Sequence, residues 1–295
     1  MGGETSGLCH GRARGKIHLD ARLPSLRGIE MAGKVVVITG ASSGIGASLA
    51  RQLGARGELL VLGARRETLL RKVAEESGGQ ALAVVADVTK KQDVERLRDR
   101  ALSEYGKVDV WVNNAGRGIN RHVEDLTEED VRGVVDVVLM SVLYGMQAIL
   151  PHFKERGEGH IINVSSFLGR VPFSPHRSVY SACKSAVNVL SANLRMDLKS
   201  KYPGIHVSVM MPGIVDTPFH EIAGPGLPVR AGGFIGQARV ESADEAAQRI
   251  VALIDSPVPE AYSNPAAVDL VTSYFRDVGA FEDSYSQREA GRRPG

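Results

Sequence analysis

Two cysteines, Cys9 and Cys183, are all that 295 residues contain, too few for a disulfide framework. That excludes the small cross-linked secreted class and fits a reducing compartment, so a cytoplasmic protein is expected. Cys183 reads as a small packing residue. Histidines and cysteines do not cluster at metal-ligand spacing, so no metal site is expected. There is no basic run and no aromatic–basic interleaving, so nucleic acid is not an expected partner. No apolar run approaches the ~18 residues that a bilayer-spanning helix needs, so no transmembrane segment is expected. What is present is ordinary globular composition, 43% hydrophobic and 24% charged, in a chain long enough to bury a full core.

The net charge of +2 is carried by the first thirty residues, with five Lys/Arg against three Asp/Glu. Residues 1–30 hold several glycines and no sustained apolar period, and read as a disordered extension. Two other readings stay open. One is a transit peptide, against which Glu4 and Asp20 stand. The other is translation from Met31, where Met31-Ala32-Gly33-Lys34-Val35 opens the folded pattern.

From there short apolar runs alternate with helical patterns. Strands are expected at 35–39, 59–63, 82–86, 108–112, 160–164 and 206–210, and helices at 44–55, 67–77, 92–105, 128–153 and 179–199. Several runs are continuously apolar, as in strands buried on both faces of a parallel sheet. The expected fold is α/β: one doubly wound parallel sheet with helices on both faces, a Rossmann fold, over 31–281. Thr127 reads as the N-cap of the 128–153 helix, with an acidic first turn. A Gly/Pro-rich segment, 217–240, reads as a substrate lid. A final helix at 243–254 and a strand-like 260–263 follow, then a polar tail over 282–295.

The first strand runs into Gly40-Ala41-Ser42-Ser43-Gly44-Ile45-Gly46 and then a helix. Glycines here let the backbone turn tightly against a pyrophosphate resting on helix N-terminal amides, which points to a dinucleotide. The second strand ends Ala64-Arg65-Arg66, where an acid would otherwise meet an adenosine ribose hydroxyl. Arginine suits a 2′-phosphate, so NADP(H) is the expected cofactor, with Arg65 on the phosphate and Arg66 in a secondary contact. Asp87-Val88, Asn114 with Gly116, Ser165-Ser166 and Pro212-Gly213 with Thr217 follow later strands, at the edge where open α/β sheets bind ligands. Tyr180 and Lys184 lie one helical turn apart. The ammonium is expected to pull the phenol down from its usual pKa of ~10.

Together these elements resemble the short-chain dehydrogenase/reductase family: Thr39-Gly40-x-x-x-Gly44-x-Gly46, Asp87, Asn113-Asn114-Ala115-Gly116, Ser166, Tyr180-x-x-x-Lys184 and Pro212-Gly213-x-x-x-Thr217. The resemblance spans about residues 33 to 255. It implies that Tyr180 exchanges a proton with the substrate oxygen and that Lys184 lowers the tyrosine pKa and meets the nicotinamide ribose. It places Ser166 on the carbonyl or hydroxyl oxygen, Asp87 at the adenine, Asn114 along the cleft and Thr217 toward the carboxamide. It further implies a homodimer or homotetramer built through the two long helices. Small-molecule carbonyl or alcohol substrates are expected, and the apolar residues of the lid, with Phe167, Phe173 and His176, suggest an apolar one. In one place the chain departs from the family. Where the family usually has an asparagine that holds a relay water, this chain has Val138. Reduced or rewired activity is therefore expected, and a cofactor-binding regulator with little catalysis is the alternative.

Overall fold

Val35–Thr39, five residues without an exposed side chain, form the first strand, β1. β-Branched residues are stiff in the extended state, and burial on both faces removes any need for alternation. In the computed structural model residues 33–222, 234–235, 238–264 and 267–290 are described, and the 1–30 extension lies outside them. β2 (Leu59–Ala64), β3 (Ala81–Val85), β4 (Val110–Asn113), β5 (Glu158–Val164) and β6 (Gly204–Met211) follow, and β10 (Glu260–Tyr262) completes the sheet. The seven strands run parallel in the order β3-β2-β1-β4-β5-β6-β10.

The period-two alternation of β1 sorts its side chains to two cores. Val36 and Ile38 join α1 (Gly44–Ala55), α2 (Glu67–Glu76) and α8 (Ala243–Asp255) on one face. Val35 and Val37 join α3 (Lys91–Tyr105), α5 (Ser141–Arg156) and α6 (Ser178–Lys199) on the other. β1 touches both β2 and β4, so the strand order reverses there and a crevice opens above their carboxyl ends.

The predicted elements are all found, with ends shifted by a few residues. The 128–153 helix is not continuous. It runs as α4 (Glu128–Val135), a π-turn at Asp136–Met140, then α5. Thr127 caps α4 as the sequence predicts, with Asp130 returning the bond. Taken end to end, Glu128–Arg156 is long and apolar enough by length and composition to cross a membrane, which a search for uncharged runs does not find. Here Val142, Ile149 and Phe153 are buried against the sheet.

The 217–240 segment carries more regular structure than a loop. After β7 (Ile214–Asp216) come α7 (Phe219–Ile222), β8 (Phe234–Ile235) and β9 (Ala238–Ser242), and β9 pairs with both short strands. Leu227, Val229 and Arg230 of the expected lid lie outside the described residues. Two further helices, α9 (Ala267–Arg276) and α10 (Val278–Ala290), have no counterpart in the sequence reading, and α10 continues to Ala290 within the stretch read as a polar tail.

Candidate active site

The strand ends and helix starts of the crevice enclose one cleft of about 1920 Å³, large enough for a dinucleotide and a further small molecule. Every site residue predicted from the sequence lines it except Gly46. Gly46 lies beneath: a Cβ there would stand 2.5 Å from the Asn114 amide nitrogen and 2.6 Å from the Gly40 carbonyl oxygen. Gly40 has φ +68°, and its own Cβ would meet the Ala115 backbone at 2.7 Å. The glycine loop is thus seated directly on the end of β4. Asn114 fastens it, its amide nitrogen donating to the Thr39 and Gly40 carbonyls at 2.9 and 3.3 Å. The loop ends at the N-terminus of α1, where no side chain caps the helix. A dinucleotide pyrophosphate fits such amides.

At the end of β2 the two arginines take different places. Arg66 folds over the loop and donates to Ser42 at 3.0 Å and Ser43 at 2.6 Å. Arg65 lines the same part of the cleft and is exposed. Asp87 is held as a turn, its Oδ1 accepting from the Thr89 amide and hydroxyl.

The two adjacent serines after β5 separate. Ser165 turns inward and donates to the Lys184 carbonyl at 3.1 Å. Ser166 accepts from the Leu168 amide at 3.1 Å, which leaves its proton for the Tyr180 phenol that it hydrogen-bonds. Lys184 is buried, donates to the Val164 carbonyl at 2.7 Å, and lies 5.7 Å from the centre of the Tyr180 ring.

The electrostatics correct one expectation. Burial pushes the Tyr180 pKa up to about 12, while the Ser166 hydrogen bond and then the Arg177 charge pull against it. Burial also lowers Lys184 to about 8. Arg177 joins Lys184 as a cation beside the phenol, and without cofactor the phenol stays neutral at physiological pH. Arg177 went unread in the sequence, although it lies three residues before Tyr180 and so on the same side of α6.

A model of the short chain dehydrogenase family matches residues 34–225. The chain belongs to the short-chain dehydrogenase/reductase family. An uncharacterized oxidoreductase of Bacillus subtilis is 37% identical over 64% of this chain, and the match spans 54% of that protein, about half its length. The 3beta-hydroxysteroid dehydrogenase 1 of Eggerthella lenta is 38% identical over 65% of this chain and 74% of its own. Among solved structures, the alcohol dehydrogenase of the archaeon Thermococcus sibiricus, complexed with 5-hydroxy-NADP, is 31% identical with a TM-score of 0.66, covering 78% of this chain and 96% of that one. The 3-ketoacyl-(acyl-carrier-protein) reductase of Brucella melitensis, complexed with NADH, is 31% identical with a TM-score of 0.70, covering 79% and 97%.

Two features of this family member lie outside the motif set. Glu241 on β9 is buried, and burial raises its pKa. It accepts from Ser263 at 2.8 Å, and Ser263 accepts from the Gly213 amide at 3.0 Å, so the Pro212-Gly213 turn is pinned from below. No spacing in the sequence links these three residues; the pairing of β7 with β9 and of β10 with β6 brings them together. The second feature is Val138. It is fully buried in the π-turn, in an apolar cluster with Ile119, Val134, Val179, Tyr180 and Cys183. The position where the sequence departs from the family pattern thus shares an apolar cluster with Tyr180.

Proposed function

We propose that the protein is an NADP(H)-dependent oxidoreductase that moves a hydride between the nicotinamide and the carbonyl or secondary alcohol carbon of an apolar substrate. The observation that carries this reading is the meeting of Ser166, Tyr180 and Lys184 in the cleft that the glycine loop opens. The nicotinamide supplies or accepts the hydride. In reduction, negative charge grows on the carbonyl oxygen, and a positioned hydroxyl and phenol stabilise and then neutralise it. Ser166 is assigned to the hydrogen bond with that oxygen. Tyr180 is assigned to the proton: a phenol held up to about 12 by burial is protonated at neutral pH, as a donor must be. Lys184 is assigned to the nicotinamide ribose and Asp87, with Val88, to the adenine side. Thr217, Gly116 and Pro212-Gly213 are assigned to the nicotinamide end. Arg65 and Arg66, with Ser42 and Ser43, are assigned to the 2′-phosphate, since a second charged donor there suits phosphate better than a bare ribose.

The substrate class is read from the wall opposite. Phe167 and Phe173 meet as a tilted pair with centroids 5.6 Å apart, and the Phe219 ring centre lies 5.3 Å from that of Tyr180. These rings favour an apolar body. A homodimer or homotetramer in the cytoplasm belongs to the same proposal. Val189 and Met196, exposed on α6, support the pairing.

The test is reduction of a ketone panel with NADPH, followed by the absorbance of the reduced nicotinamide. Tyr180→Phe is expected to lower kcat/KM about 10²- to 10⁴-fold with NADPH affinity kept. Turnover by Tyr180→Phe equal to the parent's would remove the proton role. Tight NADPH binding with no turnover across the panel would favour the regulator reading that Val138 motivates.

A further inference from the structure

At the substrate end of the cleft lies a buried cation; Asp216 on β7 acts electrostatically on its neighbour His220 but does not line the cleft. Arg177 is 7% exposed, lines the cleft and forms no salt bridge among the described residues. Its Nη2 lies 3.3 Å from the His220 Nδ1, and the His220 Nε2 lies 3.0 Å from the Val215 carbonyl. A carbonyl can only accept, so Nε2 carries the proton and Nδ1 accepts from the arginine. His220 is thereby neutral, and burial followed by the Arg177 charge lowers its pKa. The guanidinium lies over the Phe219 ring at 5.3 Å. Its other terminal nitrogen, Nη1, is buried with no hydrogen-bond partner among the described residues.

An arginine cannot shed its proton, and a buried charge is normally paired. A cation–π contact and one neutral imidazole leave most of the desolvation cost standing. The acids that line the cleft belong to other elements: Asp87 follows β3, Glu241 is on β9 and Asp277 lies between α9 and α10. The dinucleotide's phosphates have their own place at the glycine loop with Arg66. Arg177 also sits at the uncapped N-terminus of the 22-residue α6, where the helix end favours negative charge.

We propose that Arg177 anchors a carboxylate of the substrate, so that the protein acts on oxo acids and the matching hydroxy acids. This rests on Tyr180 marking the reacting centre, as proposed above. Arg177 and Tyr180 flank the same Phe219 ring, each 5.3 Å from its centre, and are three residues apart on one helix. The carboxylate therefore lies only a few bonds from the reacting carbon, and the apolar remainder rests on the phenylalanine wall. In reduction the carbonyl carbon gains the hydride from NADPH and its oxygen gains one proton, leaving NADP⁺. The carboxylate is untouched and serves only to orient.

The experiment compares levulinate and benzoylacetate with their methyl esters as substrates for the NADPH-loaded protein. It is paired with calorimetric titration of the same four compounds. The wild type is expected to prefer each acid over its ester about tenfold or more, as a charge-assisted hydrogen bond implies. Arg177→Met is expected to lower kcat/KM for the acids about 10- to 100-fold more than for the esters, with Arg177→Lys between the two. Equal use of acid and ester by the wild type overturns the proposal while leaving the reductase reading intact, and that comparison needs no variant to fold. Equal loss for acid and ester in Arg177→Met also overturns it, making Arg177 a packing residue of Phe219. If neither acid nor ester is reduced, the reductase reading has failed on this panel and calorimetry decides the anion site. Acid binding that Arg177→Met abolishes supports the site, and the absence of acid binding to the wild type overturns it.

Discussion

Arg65 and Arg66 are adjacent in sequence, yet the backbone gives them different work. Arg66 reaches back to Ser42 and Ser43, while Arg65 lines the cleft. A 2′-phosphate between the serines and Arg66 would keep those donors in place and add a charge-assisted bond, so the greater loss is expected at Arg66. Arg66→Ala should weaken NADPH binding about 10- to 100-fold and NADH binding much less. Arg65→Ala should act in the same direction more weakly. Fluorescence titration of the reduced cofactors with each variant measures both ratios. Equal losses for NADPH and NADH in both variants would reject the phosphate role of the pair. The motif identifies the position, but which arginine folds inward depends on α2 starting at Glu67, with Arg66 as its N-cap residue.

Among the elements, the legible ones are those whose own residues decide their state. β1 and α1 match their predicted bounds, since one is an unbroken β-branched run and the other begins at a glycine turn. The π-turn at Asp136–Met140 is not legible, because Val-Val-Asp-Val-Val-Leu-Met suits an ordinary helix. A second hidden feature joins β4, β5 and α6. The Trp111 indole donates to Asn113, Asn113 to Asn163, and Asn163 to Ser191, each at 2.8 Å and all buried. Asn114 ties the strand ends, but its neighbour Asn113 faces inward. Gly145 on α5 makes room for this chain. A Cβ there would stand 2.0 Å from the Asn113 carbonyl oxygen and 2.7 Å from the Trp111 indole nitrogen. Helix propensity alone favours Ala over Gly by about 1 kcal/mol. The clash with two bonded, immobile side chains reverses the sign, and Gly145→Ala is expected to destabilise by about 1–3 kcal/mol in denaturant unfolding. Gly79→Ala, with nothing within 4 Å of its Cβ, should be neutral or slightly stabilising. A Gly145→Ala protein as stable as the parent would show that α5 shifts freely and that the network is not rigid.

At the scale of the whole molecule, stability is tied to groups buried in their neutral forms, and this makes it sensitive to acid. His160 lies within the sheet on β5, hydrogen-bonded to Ser208 at 2.8 Å, and Ser208 donates on to the Val258 carbonyl at 2.6 Å. Serine's proton is committed, so the neutral imidazole donates from Nε2, and its buried Nδ1 has no partner among the described residues for a second proton. Burial, then the neighbouring His206 and Lys34, push its pKa down to about 3. His152 and His220 are lowered as well. Unfolding restores such a group to its usual value near 6.5. Between about 6.5 and about 3 the unfolded chain therefore binds more protons than the folded one, and stability falls as pH falls. Each pH unit in that window removes up to about 1.4 kcal/mol per fully responding group. Asp93, Asp109 and Asp255, whose pKa values are lowered by hydrogen bonds and ion pairs, add the same sign only further into the acid range. Glu241, raised by burial, opposes them. The upper half of the window thus belongs to the histidines, and His160 is the most deeply placed. Denaturant unfolding of ligand-free protein between pH 7 and pH 4.5 is expected to show stability dropping steadily. His160→Gln, which keeps a donor for Ser208 but does not titrate, should flatten that slope. An unchanged slope in His160→Gln would assign the acid sensitivity to His152 and His220 and leave the sheet interior without a part in it.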